Sequence, residues 1–138
     1  MANIDPHQLI REAVAASKRA VAPYSNFHVG AALLTREGAV IRGANVESVS
    51  YGLTCCAERI ALFKALTEGH RDFTAVAIVA PTAKTAPCGA CRQLLAEYAP
   101  DARVFVADSR RPAKIREFTV DQLLPEAFRS LRSKRART

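Results

Sequence analysis

Hydrophobic spacing divides the first third of the chain into one helical and two extended segments. Asp5-Pro6 is a favourable helix start, with an N-cap residue followed by proline at the first helical position. Apolar residues then recur at intervals of three and four until Pro23, which is expected to end the helix. Residues 28–34 and 40–46 are rich in small and β-branched residues and flank a short polar turn. This part is therefore predicted to form a helix followed by a β-hairpin.

The middle of the chain alternates between helical and extended patterns. Residues 56–68 are apolar on most sides and are followed by Gly69, which predicts a buried helix with a glycine at its end. The continuous apolar run 74–80 predicts a strand covered on both faces. A helix over 88–98 and a strand over 103–107 follow. This alternation predicts an α/β fold, a three-layer α/β/α sandwich with a mixed β-sheet.

Length and charge indicate one domain with a basic extension. A chain of 138 residues suits a single core, which we place in residues 1–128. The formal net charge is +7, which by itself suggests a nucleic-acid partner. Much of that excess lies in residues 129–138, which lack acids and are predicted to be a disordered tail, with basic residues at Arg129, Arg132, Lys134, Arg135 and Arg137. The remaining body is close to neutral, which argues against a nucleic-acid partner.

Neither a membrane segment nor a secretory signal is indicated. No apolar run approaches the roughly 20 residues that span a bilayer. The N-terminal segment also lacks the apolar core and cleavage site of a signal peptide. We therefore expect a cytoplasmic protein that makes no membrane contact.

Four cysteines cluster in the centre of the sequence, at Cys55, Cys56, Cys88 and Cys91. A cytosolic chain of this length can build its core without disulfides, so the clustering favours metal or redox chemistry. Three thiolates at a tetrahedral zinc ion would leave the fourth position for water, as in catalytic sites. Cys55 and Cys56 are adjacent and should point in different directions, so Cys55 is not expected to join Cys56, Cys88 and Cys91 as a fourth ligand.

Glu58 lies two residues after the first of these cysteines. A carboxylate at that position can reach the open side of the metal and act as a general acid and base. Arg59 and Arg92 are candidates to donate hydrogen bonds to the sulfurs, with Arg59 the stronger candidate. The alternative is a structural zinc knot in which Glu58 is only a favourable acidic residue in a first helical turn. Glu58 and the absence of a fourth ligand favour catalysis.

Several motifs of the chain resemble those of the short, homotetrameric, zinc-dependent cytidine deaminases. The resemblance implies hydrolytic deamination of cytidine and 2′-deoxycytidine to uridine and 2′-deoxyuridine, with release of ammonia, in pyrimidine salvage. It further implies one Zn²⁺ per subunit on Cys56, Cys88 and Cys91, with a zinc-bound hydroxide as the attacking group and Glu58 as the proton shuttle. The matching segments are residues 24–32, 43–47, 50–52, 56–59, 87–93 and 123–128.

The same resemblance implies a nucleoside site shared between subunits. Phe27 would pack on the pyrimidine, the backbone N–H of Ala57 would hold its polar edge, and Asn45 with Glu47 would bind the ribose 3′-hydroxyl. Tyr51 and Phe128 would reach a neighbouring subunit's site, as expected of a homotetramer. Each residue type also has an ordinary structural role: a core aromatic for Phe27 and Tyr51, a turn for Asn45, a surface charge for Glu47 and an anchor for Phe128.

The chain departs from that family's pattern at a few positions. Ser48 stands where asparagine is common, Val49 replaces a smaller residue, and Cys55 is an additional thiol expected to be buried filler. Three other functions are alternatives to the deamination of cytidine. Blasticidin S deaminases lack the Asn45 and Glu47 pair, polynucleotide deaminases carry histidine at the first ligand and need a basic surface, and a non-catalytic zinc module would not need Glu58.

Overall fold

A five-stranded mixed β-sheet forms the middle layer of the molecule, with strands in the order β2-β1-β3-β4-β5. The structure is a computed structural model and describes residues 5–129. Its elements are α1 (Pro6–Ser17), β1 (Gly30–Thr35), β2 (Val40–Ala44), a 3-10 turn (Tyr51–Leu53), α2 (Ala57–Thr67), β3 (Phe73–Ala80), α3 (Gly89–Tyr98), β4 (Arg103–Asp108), β5 (Arg116–Thr119) and α4 (Val120–Leu123).

Strand direction places the end of β3 next to the end of β4. β1 runs antiparallel to both β2 and β3, as the predicted hairpin requires for β1 and β2. β3 and β4 are parallel and are connected through α3, with Ala80 opposite Asp108 at their carboxyl ends. Ligand sites in α/β sheets commonly lie at this edge, because the loops leaving parallel strands meet there.

Side chains alternate between two hydrophobic cores because strand neighbours point to opposite faces. On β3, Ala75, Ala77 and Val79 pack with residues of α1, whereas Val76 and Ile78 pack beneath α2 and α3. Every residue of β3 except Thr74 is buried. The predicted three-layer α/β/α sandwich with a mixed sheet is confirmed, and the apolar run of β3 reflects burial on both faces.

The first helix begins as predicted and ends earlier. The Asp5 carboxylate accepts a hydrogen bond from the His7 N–H at 3.0 Å, and Pro6 is the first helical residue. The helix ends at Ser17, not at the expected Pro23. Val21 instead donates its N–H to the Asn45 carbonyl at 2.9 Å and accepts from the Glu47 N–H at 2.8 Å. These long-range backbone bonds replace the helical ones.

The second helix is buried on one side only. Ala57, Glu58, Ala61, Leu62 and Ala65 of α2 are buried, whereas Phe63 is 43% exposed. The expectation of a buried helix therefore holds for the side that faces the sheet and is wrong for the outer face. The sheet covers only one side of α2, and apolar composition alone does not identify that side.

The end of the chain contains two elements that the hydrophobic pattern did not indicate. β5 pairs antiparallel with β4 at the edge of the sheet, and most of its residues are exposed, so it lacks an apolar signature. α4 follows with a capping box between Thr119 and Gln122. Arg129 donates to the Ala96 carbonyl at 3.0 Å. The predicted disordered tail otherwise lies outside the described residues, and no described helix is long and apolar enough to cross a membrane.

Candidate metal centre

Two helix starts bring the predicted cysteine ligands together. Cys56 is the N-cap of α2, Cys88 is the N-cap of α3, and Cys91 lies in the first turn of α3. Their three sulfur atoms lie within 4.8 Å of one another, and the Sγ atoms of Cys56 and Cys88 are 3.8 Å apart. Tetrahedral zinc with Zn–S bonds of about 2.3 Å requires sulfurs about 3.8 Å apart. The three thiols therefore fit one zinc ion.

The three cysteine side chains form hydrogen bonds with one another, and a bound metal ion would take the place of those hydrogen bonds. Hydrogen bonding from Cys91, and less strongly from Cys88, lowers the pKa of Cys56 to about 6, against the opposing effect of burial. The pKa of Cys91 is raised, because its thiol donates to Cys56 and is itself buried. Zinc binds thiolates, so its binding releases these protons and removes the sulfur-to-sulfur hydrogen bonding.

Cys55 lies outside the three-sulfur group. Its backbone pairs with Val46, with N–O distances of 2.9 and 3.1 Å in the two directions, so this residue forms a short β-bridge beside the ligands. Burial raises the pKa of its thiol. The side chain is half-buried and lines a cavity, which corrects the expectation that it is buried filler. Cys55 is held in the β-bridge, and its thiol does not join the sulfur group that contains the neighbouring Cys56.

Glu58 lies in the first turn of α2 with only 6% of its surface exposed. Burial raises the pKa of its carboxyl group, and the negative charge of Cys56 acts in the same direction. Glu58 lines the same cavity as Cys56 and Cys88. A carboxyl group is thus held beside the sulfurs in a place largely protected from water.

The two arginines proposed near the sulfurs have different surroundings. Although burial opposes its charge, the pKa of Arg59 is raised by the neighbouring sulfurs of Cys56 and Cys91, and its buried Nε has no hydrogen-bond partner among the described residues. Arg92 instead donates from Nε to the Pro87 carbonyl at 2.8 Å and from Nη1 to the Leu123 carbonyl at 3.0 Å. Arg59 is therefore the arginine associated with the sulfurs, and Arg92 stabilises the segment that precedes Cys88.

An open cavity of about 300 Å³ lies against the cysteine group. Besides Cys56 and Cys88, its walls contain four predicted site residues: Phe27, Asn45, Ala57 and Glu58. Asn45 is buried, with its Oδ1 accepting from the Val29 N–H at 2.9 Å and its Nδ2 donating to the Phe27 carbonyl at 2.9 Å. Asn45 thereby fixes the segment that carries Phe27 into the cavity wall.

Three of the predicted substrate-binding residues, Glu47, Tyr51 and Phe128, lie away from that cavity within one chain. Glu47 and Tyr51 line a neighbouring depression, which shares Thr54 with the first cavity. The Ser25 hydroxyl donates to the Glu47 carboxylate, whose other oxygen accepts from the N–H groups of Tyr24 and Ser25 at 3.0 and 3.1 Å. The hydroxyl first and the backbone groups second lower the pKa of Glu47. Tyr51 is 86% exposed and Phe128 is 64% exposed. Neither aromatic ring contributes to its own chain's cavity.

The loop after β3 supplies cavity residues that the motifs did not indicate, namely Thr82, Lys84 and Thr85. Thr85 is buried, and its hydroxyl donates to the Thr82 carbonyl at 2.7 Å. Only the position of these three residues in the sequence could have indicated that they line the cavity. They lie between a predicted buried strand and the Cys88 motif, at a sheet edge where ligands commonly bind. Their residue types carry no such signal.

Three sulfurs that leave one tetrahedral position open, with a buried carboxyl group beside them, define the catalytic class of zinc site. Comparison with known families agrees. The model of the cytidine and deoxycytidylate deaminase zinc-binding region matches residues 4–107. This match covers most of the chain and both cysteine motifs, and the chain belongs to that family.

The individual relatives include cytidine deaminases and a blasticidin-S deaminase. A cytidine deaminase of Halalkalibacterium halodurans is 54% identical over 127 residues, covering 91% of this chain and 95% of the relative. The crystal structure of a cytidine deaminase from Burkholderia pseudomallei superposes with a TM-score of 0.86 at 48% identity, covering 91% of this chain and 100% of that one. A blasticidin-S deaminase of Bacillus cereus is 36% identical over 107 residues, or 71% of this chain and 74% of its own.

Proposed function

We propose that this protein is a zinc-dependent cytidine deaminase. It adds water to cytidine and releases uridine and ammonia, and it acts in the same way on 2′-deoxycytidine. The observation that carries this assignment is the fit of three cysteine sulfurs to one zinc ion beside buried Glu58, in a cavity of about 300 Å³. We further propose that the enzyme acts in pyrimidine salvage.

The chemistry needs a water nucleophile and a group that moves protons. Zinc, when bound, supplies a Lewis-acidic position at which water becomes a good nucleophile near neutral pH. Glu58 takes one proton from the attacking water and passes it to the pyrimidine N3. It then takes the second proton from the new C4 hydroxyl and delivers it to the amine, which leaves as ammonia while C4 becomes a carbonyl. Its burial in the cavity wall holds the carboxyl group in place and restricts exchange of those protons with bulk water.

Four residues would position the nucleoside. Phe27 packs against the pyrimidine from the cavity wall. The Ala57 N–H lies in the first turn of α2, where backbone donors lack intrahelical partners, and it holds the polar edge of the base. Asn45 retains one amide hydrogen for the ribose 3′-hydroxyl after donating to the Phe27 carbonyl. Glu47 orients the backbone of Tyr24 and Ser25 and accepts from the same hydroxyl.

The enzyme works as a homotetramer whose subunits share active sites. Large apolar side chains are exposed along one short segment, with Val49 at 77%, Tyr51 at 86% and Leu53 at 74%. Exposed apolar groups gathered in this way are typical of protein interfaces. Tyr51 and Phe128 lie outside their own chain's cavity and would complete a neighbour's.

The activity is tested by the fall in ultraviolet absorbance as cytidine becomes uridine. Zinc-loaded protein is expected to convert both cytidine and 2′-deoxycytidine, and removal of zinc with a chelator is expected to stop the reaction until zinc is restored. Conversion of blasticidin S alone would assign the chain to that class of deaminase. No turnover of any of the three compounds would contradict the enzyme assignment.

A further inference from the structure

A second concave surface, which we call the basic cavity, lies beside the loop that follows β3. Its volume is about 600 Å³, and it is lined by Ala83, Ala107, Asp108, Arg110, Arg111, Lys114 and Arg116. Four of these residues are basic and one is acidic. The sequence as a whole gave no reason to expect this, since the body is close to neutral apart from its last residues. The positive charge is therefore concentrated at one end of the sheet.

The one carboxylate in the basic cavity is already paired. Asp108 accepts from Nε and Nη2 of Arg110 at 3.0 and 2.8 Å, and from the Arg110 backbone N–H at 2.9 Å. These contacts lower the pKa of Asp108 to about 2, so it is ionised at neutral pH and neutralises Arg110. Arg111 and Lys114 form no ion pair within residues 5–129. Two exposed cations thus face the cavity outside any ion pair among the described residues, although the charge of Arg111 also acts on Asp108.

The segment that carries these cations is held by backbone hydrogen bonds. Ser109 donates its N–H to the Ala80 carbonyl at 2.9 Å, Arg111 donates to the Asp108 carbonyl at 2.9 Å, and Lys114 donates to the Arg111 carbonyl at 3.1 Å. These contacts tie the start of the segment to β3 and close it into successive turns. The cations are therefore presented by an ordered loop.

Arg116 is fixed from two sides. Its Nη2 donates to the Thr85 carbonyl at 2.6 Å, and its guanidinium lies 5.6 Å from the centre of the Phe118 ring. A guanidinium held in place loses less conformational freedom when it binds an anion. The remaining N–H groups of Arg116 are available to the basic cavity.

We propose that the basic cavity binds a small polyphosphate anion, of the kind carried by nucleoside di- and triphosphates. Guanidinium and ammonium groups form charge-assisted hydrogen bonds with phosphate oxygens, and arginine does so in a bidentate manner. A concave cavity of about 600 Å³ matches a small molecule. Sites for single-stranded nucleic acid instead combine an extended basic groove with aromatic stacking platforms, and none of the described residues that line this cavity is aromatic.

The test is calorimetric titration of the zinc-loaded, full-length protein with inorganic tripolyphosphate at low salt. We expect one anion per chain and at least a tenfold weaker affinity in the double variant Arg111→Ala with Lys114→Ala. The matched control is Arg36→Ala with Lys64→Ala, which removes the same formal charge elsewhere and should bind within about twofold of the parent. All three proteins keep the basic residues after Phe128, so their contribution is common to every titration.

Three results would overturn the proposal. The first is that the parent protein does not bind tripolyphosphate, and the second is that both double variants weaken tripolyphosphate binding equally. The third is that the protein binds a single-stranded oligonucleotide through Arg111 and Lys114 but does not bind tripolyphosphate. Zinc content and cytidine turnover are measured for each variant to show that the fold is intact. Both should be unchanged, because the four substituted side chains lie outside the zinc cavity.

Discussion

At the scale of single residues, the chemistry depends on which of two adjacent thiols faces the metal and on one carboxyl group. Cys56 belongs to the three-sulfur group and Cys55 does not, although both line the same cavity. Glu58 is buried beside them. Each of these assignments can be separated from a purely structural role by measuring bound zinc and turnover independently.

A proposed ligand, Cys88, and the thiol outside the ligand group, Cys55, give a matched pair of substitutions. Cys88→Ser is expected to lose most bound zinc and with it nearly all turnover, because one of three thiolate ligands is replaced by a poor ligand. Cys55→Ser is expected to keep one zinc per chain, because Cys55 lies outside the ligand group. Zinc is measured by atomic absorption after gel filtration. Loss of zinc from Cys55→Ser would show that Cys55 takes part in binding.

Replacing Glu58 by glutamine separates proton transfer from metal binding. Glu58→Gln is expected to retain zinc and to lower kcat by about 10²–10⁴-fold, because shape is kept and the proton acceptor is removed. The control Glu68→Gln alters an exposed residue just after the same helix and should behave like the parent. If Glu58→Gln instead lost its zinc, Glu58 would be a ligand or a support of the ligands.

At the scale of elements, the site depends on how closely α2 approaches the sheet. Gly43 on β2 leaves room for this helix, since a Cβ at this position would lie 2.5 Å from both the Ala57 carbonyl and the Ala61 nitrogen. Ala57 is the first residue after the ligand Cys56. Gly30 has the same relation to α1, where a Cβ would meet the Ala13 carbonyl on the opposite face of the sheet.

Alanine at these two glycines is expected to have different effects on zinc. Gly43→Ala and Gly30→Ala should each destabilise the fold by about 1–3 kcal/mol, because overpacking displaces a helix. Gly43→Ala alone should also weaken zinc retention, since it moves the helix that carries Cys56. Denaturant unfolding and competition with a chelator measure the two effects. Equal zinc loss in both variants would trace it to general destabilisation.

At the scale of the whole molecule, the proposed shared sites imply that a single folded subunit is incomplete. Phe128 is held near α3, where its carbonyl accepts from the Gln93 amide, yet its ring is 64% exposed. Tyr51 is exposed at the other segment expected at the interface. Sedimentation equilibrium should therefore give a mass of four chains, each of 15.0 kDa.

Mixing two defective variants tests whether sites are shared. Glu58→Gln and Phe128→Ala should each have low activity alone, the first in its own cavity and the second in a neighbour's. Unfolding and refolding them together should restore part of the activity, because some sites in mixed tetramers combine an intact Glu58 with an intact Phe128. Activity that stays at the mean of the two separate variants would argue that each chain carries a complete site.

Much of the fold followed from the sequence because hydrophobic spacing reports burial directly. The buried run of β3 and the capped start at Asp5 were local signals, and the structure confirms both. The end of α1 was not local, because Val21 exchanges helical bonds for bonds to Asn45 and Glu47. β5 was missed because an exposed edge strand has little apolar pattern to detect.

The sequence by itself determined the ligand types and their spacing, since three cysteines and Glu58 lie in two short motifs at helix starts. It also localised much of the positive charge after Phe128. Tertiary structure decided which groups meet. It joined Cys56 to Cys88 and Cys91, kept Cys55 out of that group, and gathered the cations of the β4–β5 loop around one cavity. Such contacts depend on strand order and helix packing, which spacing along the chain does not encode.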